Sequence, residues 1–221
     1  MFTLLRFAAK FSLASAMLAV VGMIALLSLT PAEPSPPLVS AAGITLDDET
    51  AALLVDLVFQ AARDDDAVTI HEYLGAGFSP NVRSSRGDTL LIVASYHDSR
   101  DVVDQLLLAK ELDLEARNRM GLTAVSAAAF KGFDETLTRL IRAGANVNSA
   151  NGMQQTAIMF AALAGKSSTV EILKQAGANA AASDALGNTP ASLAANQGAY
   201  AALAALRSRS ESDHADIAAE K

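Results

Sequence analysis

The chain has 221 residues, 51% of them apolar, with no cysteine, no tryptophan and a formal charge of −7. The lack of cysteine excludes disulfides, Cys-ligated metals and thiol nucleophiles, and the acidic balance lacks the electrostatic footprint of a general nucleic-acid binder. Setting the N-terminal segment apart leaves roughly 170 residues, enough for one domain or a short repeat array.

In chain order, Arg6 and Lys10 precede Phe11–Thr30, twenty residues without a charge. A basic flank before such a run predicts one N-terminal hydrophobic helix over 1–30, either a signal peptide or a membrane anchor. Thr30-Pro31-Ala32 and Val39-Ser40-Ala41 offer small residues to a signal peptidase, whereas the run is longer than the usual signal core of about 7–15 residues. Pro31, Pro34, Pro36 and Pro37 mark a Pro-rich linker over 31–43 that detaches this helix from the rest. With the basic flank inside, both outcomes export Gly43 onward; in a bacterium the product is periplasmic or anchored in the inner membrane. Leaving out Met1–Ala42 removes Arg6, Lys10 and Glu33, so 15 basic and 23 acidic residues are left, a charge of −8.

Beyond the linker the sequence repeats. Thr89, Thr123, Thr156 and Thr189 are spaced by 34, 33 and 33 residues, and 33 before the first stands Asp56. Each of these marks can cap a helix start by accepting from free N–H groups. Five positions after the mark stands alanine in every unit: Ala61, Ala94, Ala128, Ala161 and Ala194. Such a column admits a close neighbouring helix. Nine after the mark, Gly132, Gly165 and Gly198 can end a short first helix in the left-handed conformation. Apolar residues fourteen and seventeen after it, such as Leu137 and Leu140, share one face of a second helix. Gly77, Gly144 and Gly177 end that helix and open a turn-rich segment such as "GANVNSANG". A unit of helix, turn, helix and long loop cannot bury its apolar face alone, but stacked units can.

Thr123–Asn148, "TAVSAAAFKG…LIRAGANVN", resembles the ankyrin repeat, and five units from about Asp47 to Arg207 agree in register. The resemblance implies an all-α fold: an ankyrin-repeat α-solenoid of helix-turn-helix units with long hairpin-like loops. The domain spans 44–207, with units at about 52–84, 85–118, 119–151, 152–184 and 185–207, then a polar tail over 208–221. The sequence departs from the family in places. The family's histidine is replaced by Ile92, Ser126, Met159 and Ser192, which removes its hydrogen bonds between loops, and only Pro190 keeps the proline. Lys110 stands where glycine is expected, with one extra residue in "AKELDLEARN", which predicts an irregular loop. The first unit, with Asp64-Asp65-Asp66 in its inter-helix turn, has the character of an N-terminal cap.

Residues able to carry chemistry are sparse. "HEYLG" at His71 is not the two-histidine zinc pattern, His214 lies in the charged tail, and His97 ends a first helix. The Asp64–Asp66 run lacks the spaced ligands of a calcium loop and predicts a solvated turn. Neither a phosphate-cradling Gly-rich loop nor a G-x-S-x-G nucleophile elbow is present. The reading is of a non-enzyme with no catalytic, cofactor-binding or metal-ligating residues and no small-molecule substrate.

In the family, partners lie against a concave face built from loop tips and first helices. Carried over by register, its variable positions include Arg86, Tyr96 and His97 in one unit. Arg119, Met120, Leu122, Phe130 and Lys131 follow in the next, and Met153, Gln155 and Leu163 in the one after. The same columns run on through Leu186, and Arg83 and Arg117 lie on nearby loops. Aromatic, Met and Arg side chains are what interface centres are enriched in, although Leu122 and Leu163 can equally pack between units. The expected function is non-catalytic protein–protein interaction at the cell envelope. The partner would present apolar and acidic groups, and the membrane would be involved only through a retained N-terminal helix. The alternative is a structural or membrane-organising protein in which that helix is the functional part and the repeats a spacer.

Overall fold

The structure, a computed structural model, describes residues 46–208; the expected N-terminal helix, linker and polar tail, with His214, fall outside them. Among the described residues ten helices follow one another in pairs. The first helices of successive units are α1 (Asp48–Asp64), α3 (Leu90–His97), α5 (Ala124–Lys131), α7 (Ala157–Leu163) and α9 (Pro190–Asn196). The second helices are α2 (Ala67–Gly75), α4 (Arg100–Leu107), α6 (Asp134–Arg142), α8 (Ser167–Gln175) and α10 (Tyr200–Arg207). Each first helix packs on the next first helix and each second on the next second, so two rows run side by side. Among the described residues the remaining order is two isolated antiparallel bridges, Arg83–Thr89 and Ala150–Thr156, which close loop hairpins.

Composition explains the two rows. In α5 every residue from Ala124 to Ala129 is buried, because a helix with neighbours on several sides keeps little solvated face. Helix α6 instead buries one stripe, Thr136, Leu137 and Leu140, the pattern of a helix with one solvated face. The core runs unbroken from Val58 through Leu91, Val125 and Ile158 to Ala205.

The marks mostly act as caps. Thr89, Thr123 and Thr189 accept from the N–H groups of Ile92, Ser126 and Ser192 at 3.3, 3.3 and 3.2 Å. Two marks differ. Asp56 lies inside α1, which starts eight residues earlier at Asp48, capped by Asp47 through Thr50 N at 2.9 Å. Thr156 makes no side-chain cap, because the N–H of Met159 already donates to the Thr156 carbonyl at 3.0 Å. Its hydroxyl, like that of Ser95, is buried without a partner among the described residues.

Nine residues after each mark the backbone is left-handed throughout: φ is 78°, 70° and 68° at Gly132, Gly165 and Gly198, and 59° and 61° at Asp65 and Asp98. The two aspartates trade glycine's freedom for a bond to the following unit. Asp65 accepts from Val102 N at 3.0 Å in α4, and Asp98 from Thr136 Oγ1 at 2.7 Å in α6. The Asp64–Asp66 run is therefore more than a solvated turn: Asp64 accepts from Gln60, Asp65 holds α4, and Asp66 caps α2 through Thr69. The irregular loop is also visible. After α6, Gly144 N donates to Ile141 O and Ala145 N to Leu140 O, a paired closure repeated after α2 and α8. After α4 a single bond, Ala109 N to Leu106 O, is followed by a turn from Ala109 to Leu112 that absorbs the extra residue.

Candidate functional site: the loop tips and first-helix ends

Each long loop is a hairpin built on one polar residue. The side-chain oxygens of Ser84, Asn118, Asn151 and Asp184, five before the marks, accept from backbone N–H groups two and four residues on. The residue three further on is left-handed in every hairpin: Gly87, Gly121, Gln154 and Gly187, with φ of 77°, 75°, 59° and 79°. Both columns were legible in the sequence as Asx-type turn residues followed by glycine, a signal passed over because Ser84 and Gln154 interrupt it.

Two ladders join hairpin to hairpin and replace the bonds lost with the family's histidine. Arg83 donates to Arg117 O at 2.7 Å, Arg117 donates to Ala150 O, and Asn118 Nδ2 donates to Asp88 Oδ1 at 2.8 Å. Deeper in the loops, Asn81 pairs with the backbone of Glu111 and Asp113, Glu115 accepts from Asn146 N and Ser149 Oγ, and Asn148 pairs with Gly177 and Asn179. Arg83 and Arg117 are thus committed to carbonyls.

The ladders bring neighbouring tips into contact. The stem of Arg119 lies against Gly87, Asn151 and Gly152 lie against Gly121, and Ala185 N donates to Met153 O at 2.8 Å. Arg86, Arg119, Met120, Met153 and Leu186 therefore stand on one continuous strip of tips. Met120 is 37% exposed, Met153 41% and Leu186 74%. Leu186 completes the strip, and its own column had marked it.

A second group forms at the helix ends. Tyr96 and His97 close α3, and Phe130 and Lys131 close α5. Tyr96 and Phe130 are 42% and 40% exposed. Lys131 Nζ sits 4.9 Å from the Tyr96 ring centre and 5.7 Å from that of Phe133, and the Tyr96 and His97 rings meet edge to face. Partial burial, with the cations of Arg63 and Lys131 nearby, holds the His97 pKa below the usual imidazole value against the opposing pull of Asp64.

The other sequence-marked residues have structural duties. Gln155 accepts from Asn151 Nδ2 at 3.0 Å inside its hairpin, and Leu122 N donates to Asn118. Leu122 and Leu163 are half-buried.

The cations are unevenly used. Salt bridges of Arg100 and Arg139 with Asp98, Asp104 and Glu135 concentrate on the second-helix row. On the tips, Arg86 is 81% exposed and only 3.8 Å from Asp88, while Arg119 forms no salt bridge among the described residues. A strip of Met, Leu and exposed guanidinium groups can bind apolar and acidic groups.

A family model for ankyrin repeats, in three copies, matches residues 58–151 and 126–219. The chain belongs to the ankyrin-repeat family. An ankyrin repeat protein of Pseudomonas aeruginosa is 40% identical over 58 residues, 26% of this chain and 33% of that protein. Alpha-latroinsectotoxin-Lt1a of Latrodectus tredecimguttatus is 35% identical over 83 residues, 37% of this chain and 6% of the toxin. The matches thus span a third or less of those relatives' lengths. Ankyrin repeats generally serve as protein–protein interaction modules and are generally non-enzymatic.

Proposed function

We infer that this protein is a non-catalytic binding module at the cell envelope, and that its partner protein docks on the tip strip and the ends of α3 and α5. The observation that carries the reading is the contiguity of Arg86, Arg119, Met120, Met153 and Leu186, joined tip to tip and exposed. Exposed apolar side chains gathered in one place are characteristic of interaction sites, and Arg and aromatic groups dominate interface energetics. Export is supported by Arg6 and Lys10 ahead of the uncharged Phe11–Thr30. No helix among the described residues is long and apolar enough to cross a membrane, so any anchoring falls to that segment.

Phe130→Ala combined with Arg119→Glu changes two exposed side chains and should leave helicity and melting unchanged. The test is quantitative cross-linking in the envelope fraction: the partner captured by the parent chain should be lost with the variant, and equal capture would defeat the reading. N-terminal sequencing of the mature chain separates a cleaved signal from a retained anchor. Finding the chain in the cytosol would defeat export.

A further inference from the structure

Resting on that reading of the tip strip, we propose that the acidic segment 210–220 of this same chain is a ligand of the strip and competes there with outside partners. Residues 209–221 read "RSESDHADIAAEK": Glu211, Asp213, Asp216 and Glu220 against the two cations Arg209 and Lys221, with Ile217 among three alanines. The strip is the complement, with Arg86 and Arg119 beside Met120 and Met153. In a chain of net charge −7, a cationic patch and an acidic stretch within one molecule attract at short range.

The last described helix gives the segment its starting point. Helix α10 ends at Arg207, and Lys174 holds the carbonyls of Ala205 and Ser208. The preceding units launch their hairpins from the equivalent point. The residue that ties each loop to the next, Asn81, Glu115 or Asn148, is Ala181 in the last unit and has no polar atom with which to grip residues 210–212. Reach is sufficient: stacked helices lie about 8–10 Å apart, so the Arg119 tip is roughly 20 Å along the array and the Arg86 tip roughly 30 Å. An extended chain covers about 3.3–3.6 Å per residue, and Asp213 to Glu220 lie 5 to 12 residues beyond Ser208.

The probe is a fluorescent peptide of residues 209–221, titrated against the full chain and against the chain ending at Ser208 in one detergent buffer. Saturable binding to the shortened chain is expected. Binding to the full chain should be about tenfold weaker, because a tethered segment competes at an effective concentration on the order of 1 mM. Raising NaCl from about 0.05 to 0.3 M should weaken binding several-fold. Arg86→Glu with Arg119→Glu should abolish it, as should neutralising the peptide by Glu211→Gln, Asp213→Asn, Asp216→Asn and Glu220→Gln, a change that cannot unfold the array. Equal binding to both chains, equal binding of a scrambled peptide, or indifference to the arginines overturns the proposal. A full chain that sediments as a dimer, with the segment docked on a second copy, overturns its intramolecular form. An unrelated acidic–apolar peptide that binds through Arg86 and Arg119 while 209–221 does not would spare the docking strip and remove this ligand. Failure of both peptides removes the two together.

Discussion

The ammonium of Lys131 at the end of α5 sits 4.9 Å from the ring centre of Tyr96 at the end of α3, linking one unit to the next. Exposed contacts of this kind contribute about 0.5–1 kcal/mol. A double-mutant cycle with Tyr96→Ala and Lys131→Ala should give a coupling in that range by urea denaturation. The same pair stands on the proposed docking face, so each single variant should change partner binding more than stability. Coupling near zero would mean that the pair is held apart in solution.

Threonines at equivalent places predict opposite responses to one substitution. Thr89 caps α3 through Ile92 N, whereas the buried Thr156 hydroxyl has no partner among the described residues. Thr89→Val should cost about 1 kcal/mol as the cap is lost. Thr156→Val removes an unsatisfied buried hydroxyl and should be neutral or stabilise by about 1 kcal/mol. Equilibrium denaturation of the two variants checks the contrast, and equal losses would refute it.

Glycines at the hairpin turns separate strain from crowding. Gly121 and Gly187 have φ of 75° and 79°, but a Cβ on Gly121 would lie 3.0 Å from Asn151 Cβ, while one on Gly187 meets nothing within 4 Å. Gly187→Ala should cost about 1–2 kcal/mol, the left-handed penalty alone. Gly121→Ala should cost more, because the next hairpin must shift as well. Chemical denaturation of both variants gives the order.

Acid should loosen the last hairpin. Burial works to raise the Asp184 pKa, but donors from Asn188, side chain and backbone, and from Leu186 N outweigh it and hold the carboxyl below its usual value. A carboxylate with a folded pKa below its unfolded one contributes stability that is present above the unfolded value and lost as pH falls through the folded one. Melting temperature should therefore drop as pH falls below about 4. Asp184→Asn keeps the accepting oxygen, as Asn118 and Asn151 do at the same place, and should flatten that drop while changing little at pH 7. An unchanged acid limb in the variant would exclude Asp184 as its source.

Much of this was readable along the chain. Ala128 and its column, Gly132 with its left-handed turn, and the Leu137–Leu140 stripe reflect requirements local to one unit, and a repeat writes them out again each time. Asp56 has the right register but another role, because α1 runs back to Asp48, where Asp47 caps it. The partners of Asn81, Glu115 and Asn148 lie about thirty residues away in the next loop, and nothing within a single unit announces them.

The sequence by itself determined the period, the helix pairs and the apolar columns, since each follows from backbone geometry and burial within some thirty residues. Only the tertiary structure decided which polar groups are spent on holding the units together and which are left to meet a partner. Arg83 and Arg117 were candidates of the same kind as Arg86 and Arg119 until stacking placed carbonyls within their reach. Side-chain availability is a property of neighbours, and in this array the neighbours that matter belong to the adjoining unit.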